Sequence, residues 1–584
     1  MMKRRNYNLI KTGRKNKLAL AVGLALAMSA MGSVYASGND DTFKNFANKD
    51  VLMKAAEGFK TQEFKNSTGL EAIGADKAYA LGYSGKGVNV AMLEKTSPYN
   101  EHFDLKNCLI LDSKTPEKDA DDDVLHATHV AGIIAASKSN LKSPDMHGVA
   151  YNSKLSAYDI NFGIVKPWII DIPDSVIAVN ESFGPNNLLS EMFTVNIMGL
   201  NKNLVKSGKL IIHAVGNDAK LEWKGLMDGY DDETKNGFIG VGAINSYVDT
   251  KSPKFLNAVS NLPGRLKNSY VMAPGTNINS TVSKNMYYIM SGTSMAAPYV
   301  TGIASLVKEA CPYFNGKQVG DIILSTANNK FELAPYYFQI ETSRDGSENG
   351  EDRYKIDKIR QIFIKQDGVQ VINTIDENLI GDFFDLYIAK SNIRHPDRET
   401  FIKNTLKNKD KIWEVVELPF EEVFGQGIVD AGKAVQGLGA IDVDRLSQED
   451  ITTKYSNDKF YMYKVDTKKV SDNFRGRNYS IWSNDIGDKN VTGINAGLEK
   501  TGDVKLILLG ENTYGGATVA KGGFLQIVRG VGGDVYVGGD SNVDASAEIN
   551  GYAKNIYALE KYSLQGTTQG RYLTGGVPPV RFSM

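Results

Sequence analysis

Short apolar runs, each followed by turn residues and set between helix-like stretches, constrain this chain more than any other feature. Val88–Leu93 follows Gly85-Lys86-Gly87, Lys154–Tyr158 follows Gly148-Val149-Ala150, and Ser175–Val179 and Leu210–Val215 extend the series. Runs this short, with polar or glycine punctuation, read as strands buried on both faces. Leu125–Ala136 is small and apolar throughout, which predicts a buried helix. Strands alternating with helices predict an α/β fold: a mainly parallel sheet flanked by helices.

With 584 residues, 42% hydrophobic and 23% charged, the chain has room for two or three domains and matches neither a disordered nor a membrane composition. The formal net charge is −1, and residues 1–36 carry seven Lys or Arg and no acid, so the chain after them is mildly acidic and no nucleic-acid partner is expected. Lys3, Arg4, Arg5, Lys11, Arg14, Lys15 and Lys17 precede an apolar run, Leu18–Met31, and then Val34-Tyr35-Ala36. These are the basic, apolar and small-residue parts of a signal peptide over 1–36. The apolar run is short of the ~20 residues that span a bilayer. The mature chain is therefore expected to be exported, to the periplasm, cell surface or medium, with no transmembrane helix. Residues 37–68 are polar and read as a leader or short pro-segment. Cys108 and Cys311 have no metal-ligand spacing, and their pairing stays open.

A principal domain is expected over 69–440. Within it, residues 329–419 form a charged, helix-leaning insertion, after which the domain resumes at Phe424-Gly425-Gln426-Gly427-Ile428-Val429-Asp430-Ala431. From 441 to 584 the chain turns to short β runs broken by glycine, such as Val504–Leu509 and Phe524–Val528.

Four segments carry chemistry. Gly292-Thr293-Ser294-Met295-Ala296-Ala297-Pro298 sets a serine among small residues where a loop enters an apolar helix, a geometry that suits a nucleophile. Upstream lie Met92-Leu93-Glu94-Lys95-Thr96, His126-Ala127-Thr128-His129-Val130-Ala131-Gly132 and His213-Ala214-Val215-Gly216-Asn217. Together these resemble the motifs of subtilisin-like serine peptidases, which bring acid, histidine and serine in that order. The resemblance implies Ser294 as nucleophile, His126 as general base and Asn217 as an oxyanion donor beside the Ser294 N–H. Glu94 stands where the family has aspartate, so the implied triad is Ser-His-Glu. Ala127 replaces a family glycine beside the base.

Asn180-Glu181-Ser182-Phe183-Gly184 resembles the edge that pairs with a peptide main chain, which implies substrate contacts at Ser182, Phe183 and Gly184. Ala214, Val215 and Gly216 would form one wall of the primary specificity pocket. The implied partners are protein or peptide substrates. No cofactor is needed, and no metal is assigned: Asp119, Asp121, Asp122 and Asp123 read as a solvated run that favours the following helix start.

Gly502–Gly530 resembles the passenger-associated repeat of autotransporters, whose strands stack as β-helix rungs, so the 441–584 segment is expected to be β-helix-like. That resemblance suggests outer-membrane or cell-surface association, although no C-terminal barrel follows. Two rival readings remain: a catalytically impaired peptidase fold acting as a binding protein or adhesin, and a truncated autotransporter.

Overall fold

The computed structural model describes residues 45–111, 122–138, 145–160, 170–183, 190–217, 231–246, 260–330, 420–455, 459–468, 479–489, 493–538 and 545–558, with Gly229, residues 256–257, Asp397, residues 399–400, and strands at 336–345, 353–363, 413–417 and 580–582. The expected signal peptide lies outside the described residues.

The described chain opens with helices α1 (Lys49–Glu57), α2 (Gln62–Asn66) and α3 (Ala75–Ala80). Asn48 and Thr61 cap the first two, accepting from backbone N–H groups that would otherwise lack partners. Phe46, Leu52 and Phe64 are buried with the main core. Seven parallel strands follow: β1 (Asn89–Glu94), β2 (Leu109–Leu111), β3 (Lys154–Asp159), β4 (Val176–Glu181), β5 (Leu210–Ala214), β6 (Phe238–Asn245) and β7 (Tyr270–Thr276). Their order in the sheet is β2-β3-β1-β4-β5-β6-β7, with every pairing parallel.

Three helices cover the sheet: α4 (Asp122–Ala135), α5 (Ser190–Lys206) and α6 (Thr293–Ala310). Residues 127–135 of α4 are all buried, as their small apolar sequence predicts, and Asp122 and Asp123 occupy its first turn, where negative charge favours a helix start. One sheet face packs with α4 and α6 around Met92, Ile212 and Val300. The other packs with α5 around Val179, Ile211 and Leu204. An antiparallel hairpin, β8 (Ile278–Val282) and β9 (Met286–Met290), leads into α6, and α7 (Gly316–Thr326) follows with an Asn315–Gln318 capping box.

Residues 329–419 lean to helix by composition, but the strands described there form a three-stranded antiparallel sheet: β10 (Tyr336–Asp345) between β11 (Arg353–Phe363) and β12 (Trp413–Glu417). Ladder pairing, which is not local in sequence, overrides helix propensity here.

Beyond residue 440 the described chain is mostly strands. Residues 460–466, 496–501, 518–520, 535–537 and 556–558 pair successively in parallel in one sheet, and 479–482, 505–508, 523–527 and 545–549 do so in a second. This region is not a loose appendage. Ala440–Asp442 pairs in parallel with Gly487–Lys489, and Trp482 is fully buried against Phe314, ring centroids 5.8 Å apart. Arg445 Nε donates to Asp321 Oδ1 on α7 at 2.6 Å, with both side chains buried. The main core is continuous from α6 through these strands.

Candidate active site

Parallel strands leave a crevice outside their carboxyl ends, where their extensions diverge. Glu94 is the last residue of the interior strand β1, between β3 and β4, and is 3% exposed. His126, on the first half of α4, turns its Nδ1 to Glu94 Oε2 at 3.2 Å. Glutamate thus reaches the ring despite its extra methylene, but through one oxygen only. Oε1 is buried without a hydrogen-bond partner among the described residues. Ala127 is fully buried in the core beneath, with α4 continuous past it.

Burial opposes a charge on the His126 ring, but the charge and hydrogen bond of Glu94 outweigh it, so its pKa is raised above the ordinary histidine value. With Nδ1 committed to the carboxylate, Nε2 is the nitrogen left to take a proton. Lys95 and Asp123 form an ion pair across the strand end and helix start, Nζ to Oδ1 at 3.6 Å.

The neighbouring His129 does different work. It is fully buried, and burial lowers its pKa to about 3, so it stays neutral. Its Nε2–H lies 3.0 Å from both the Ile278 and Tyr288 carbonyls, which fastens the β8–β9 hairpin to α4. His102 holds the same hairpin through the Met286 carbonyl at 3.3 Å.

Ser294 lies in the first turn of α6, where unpaired N–H groups and the helix dipole favour negative charge. Gly292, just before it, has φ +149° and gives its N–H to the Gly275 carbonyl at 2.7 Å, so the tight entry requires glycine. Asn217 Oδ1 accepts the Thr293 N–H at 2.9 Å, which leaves its Nδ2 donors for a ligand. Thr293 Oγ1 in turn accepts from Gly216 N–H at 3.1 Å. Two hydrogen bonds therefore join the end of the β5 segment to the start of α6.

The Ser294 hydroxyl donates to the Ser182 carbonyl at 3.1 Å, and among the described residues it makes no hydrogen bond to His126. Phe183, Ala214 and Val215 are buried, Val215 wholly, in the core clusters, so what this segment can offer a substrate is mainly backbone. Gly184 lies outside the described residues.

A second carboxylate–imidazole pair lies close by, and sequence reading missed it. β4 and β5 set Glu181 and His213 side by side in register, and His213 Nδ1 approaches Glu181 Oε2 at 2.7 Å with both side chains buried. Asn201 of α5 donates to the same oxygen at 3.3 Å. Only strand register reveals the pair, because no local pattern marks it. Among the described residues, no group of three or more His, Cys, Asp or Glu is arranged to hold a metal, and no helix is long and apolar enough to cross a membrane.

A carboxylate bonded to a histidine, and a serine at a helix start beside a fixed asparagine, all along one rim of a parallel sheet, are the components of an α/β serine hydrolase. The chain belongs to the subtilase family of serine peptidases. The subtilase family profile matches residues 85–354. The chain is 32% identical over 271 residues to a protein named subtilisin from Bacillus pumilus, covering 44% of this chain and 90% of that one. To the major intracellular serine protease of Bacillus subtilis (strain 168) it is 31% identical over 255 residues, covering 41% of this chain and 74% of that protein. An extracellular serine protease of Serratia marcescens is 24% identical over 574 residues; the match covers 85% of this chain but only 46% of the Serratia protein's length.

Proposed function

We propose that the chain is an exported serine endopeptidase that cleaves peptide bonds through an acyl-enzyme on Ser294. The observation that carries this is the Glu94–His126 hydrogen bond, a buried carboxylate fixing the tautomer of an imidazole on the serine's side of the sheet. A peptide adds as a strand along the 182–184 edge. Ser294 Oγ attacks the carbonyl carbon, and its proton passes to His126 Nε2 and then to the leaving amine. Asn217 Nδ2 and the Ser294 N–H hold the oxyanion. Water, activated by the same histidine, then releases the acyl group.

Export rests on the basic and apolar N-terminus, and the similarity to a protein named extracellular from Serratia marcescens supports it. The successive parallel pairings beyond residue 440 support a β-helix-like coil. By analogy with autotransporters, we assign this coil a presenting or surface-associating role. The rival reading, a peptidase fold kept for binding, draws on the Ser294 hydroxyl being bonded to Ser182 and not to His126. The test is hydrolysis of an unfolded protein substrate. New peptide N-termini should accumulate with the purified chain and be absent with Ser294→Ala; equal release by both would refute the assignment.

A further inference from the structure

Strand β5 ends at Ala214, and only three residues carry the chain from there to Asn217. Val215 still gives its N–H to the Val241 carbonyl of β6 at 3.2 Å, and then Gly216, at φ +95°, turns the chain. The carbonyls of Val215 and Gly216 need donors, because a buried carbonyl left unpaired is costly. One residue supplies both. Asn261 gives its side-chain Nδ2 to the Val215 carbonyl at 2.8 Å and its main-chain N–H to the Gly216 carbonyl at 3.0 Å. A carbonyl only accepts, so the amide nitrogen of Asn261, and not its oxygen, faces Val215.

Asn261 is itself fixed. It is fully buried, and its own carbonyl accepts from the Tyr270 hydroxyl at 2.9 Å and the Ser260 hydroxyl at 3.3 Å. Ser260 Oγ in turn accepts the Ala243 N–H at 3.0 Å. Ala243 lies in β6 and Tyr270 opens β7, so Asn261 passes the rigidity of two sheet strands to the 215–217 arm. Thr293 holds the same arm from the start of α6, through the Gly216 N–H and Asn217 Oδ1.

We propose that Asn261 is a positioning residue for the oxyanion site: its grip on two successive carbonyls fixes the main chain from which Asn217 projects. This deepens the peptidase reading and rests on it. Asn217 is exposed, and its side chain is bonded through Oδ1, so the place of Nδ2 depends on its backbone as well. An oxyanion donor works by being in place before the charge develops, and a displacement near 1 Å forfeits much of its effect. Asn261 is buried behind the arm and meets no substrate, so its loss should fall on kcat and spare KM. His126 keeps its hydrogen bond to Glu94, so the acidic limb of the pH profile should stay in place.

The test is a double-mutant cycle on the full chain, with kcat and KM read on a chromogenic peptide. Rates are normalised to active sites titrated with a fluorophosphonate, so misfolded chains are not counted. Asn261→Ala should lower kcat roughly tenfold or more, and by no more than the ~10²–10³ that loss of an oxyanion donor costs in this same family. In an Asn217→Ala background the same substitution should cost almost nothing further, because the donor it positions is gone. If Asn261→Ala does not fold, the cycle is read on Tyr270→Phe, which removes a donor to the Asn261 carbonyl and should give a smaller loss of the same kind. An unchanged kcat, or losses that multiply in full in the double variant, would overturn the proposal. So would turnover that Asn217→Ala leaves intact. A native chain with no turnover would instead sink the peptidase reading, and the proposal with it.

Discussion

Replacing Glu94 with glutamine keeps the side chain's size and burial but removes its charge. The carboxylate oxygen is 3.2 Å from His126 Nδ1; the Glu94 side chain is 3% exposed and the imidazole 30%, so solvent screens the carboxylate weakly and the ring in part. An opposite charge at such range favours the charged form of the ring. In the native chain that attraction overcomes the burial cost, and the ring's pKa lies above the ordinary ~6.5. The free enzyme needs a neutral His126 to accept the serine proton, so the acidic limb of kcat/KM against pH should lie above that value. In Glu94→Gln that attraction is gone while burial and the nearby Lys95 still oppose the charge, so the limb should move to lower pH. The amide also offers an N–H to Nδ1, which favours the wrong tautomer, and a plateau loss on the order of 10⁴, or about 5 kcal/mol, follows. Stability moves with the same pair. A folded pKa raised above the unfolded one adds stability that is fully present below pH ~6.5 and lost as pH rises through the folded value, so the variant's deficit in Tm should be larger in acid than in mild alkali. The assay is a kcat/KM–pH profile on a chromogenic peptide, paired with thermal melts. A limb that stays in place while the rate falls would refute the electrostatic argument.

Asn217→Ala should lower kcat by ~10²–10³ with little change in KM, a magnitude carried over from this same family and not worked out from the geometry; steady-state kinetics reads it. Trp482→Ala empties a fully buried site between Phe314 and the close approach of Gly437, and should cost about 3–5 kcal/mol, read from denaturant midpoints. Because the core runs unbroken into the C-terminal strands, that loss should appear in the same transition that unfolds the sheet; a separate early transition would contradict the continuous core. Cys108 and Cys311 are buried free thiols, pushed up by burial to about 12 and about 11, so neither should react with a thiol reagent at mildly alkaline pH until the chain unfolds.

Much of the sheet was legible because its strands, buried on both faces, concentrate apolar residues locally. Val88–Leu93 became β1, and Leu125–Ala136 fell largely within α4. Strand β6 was harder to see, because Gly240 and Gly242 dilute its apolar run. A Cβ on Gly242 would collide with the Tyr270 hydroxyl, a requirement set by a residue on the neighbouring strand. The strands within 329–419 are hidden for a similar reason: β10 and β12 pair across a distance in sequence. The candidate residues Glu94, His126, Asn217 and Ser294 could be picked out because their segments resemble the motifs of subtilisin-like peptidases, with Glu94 closing β1 and Ser294 in the first turn of α6. The Glu181–His213 pair and the grip of Asn261 on the Val215 carbonyl depend on groups that meet only in the fold.

On the proposed mechanism, Glu94, His126 and Ser294 act as one unit. A fluorophosphonate probe, followed by intact mass and peptide mapping, tests it most directly. A single adduct on Ser294 is expected in the folded protein, formed far more slowly in Glu94→Gln and His126→Ala and absent in Ser294→Ala. A folded chain that takes no label, or takes it at another residue, would contradict it.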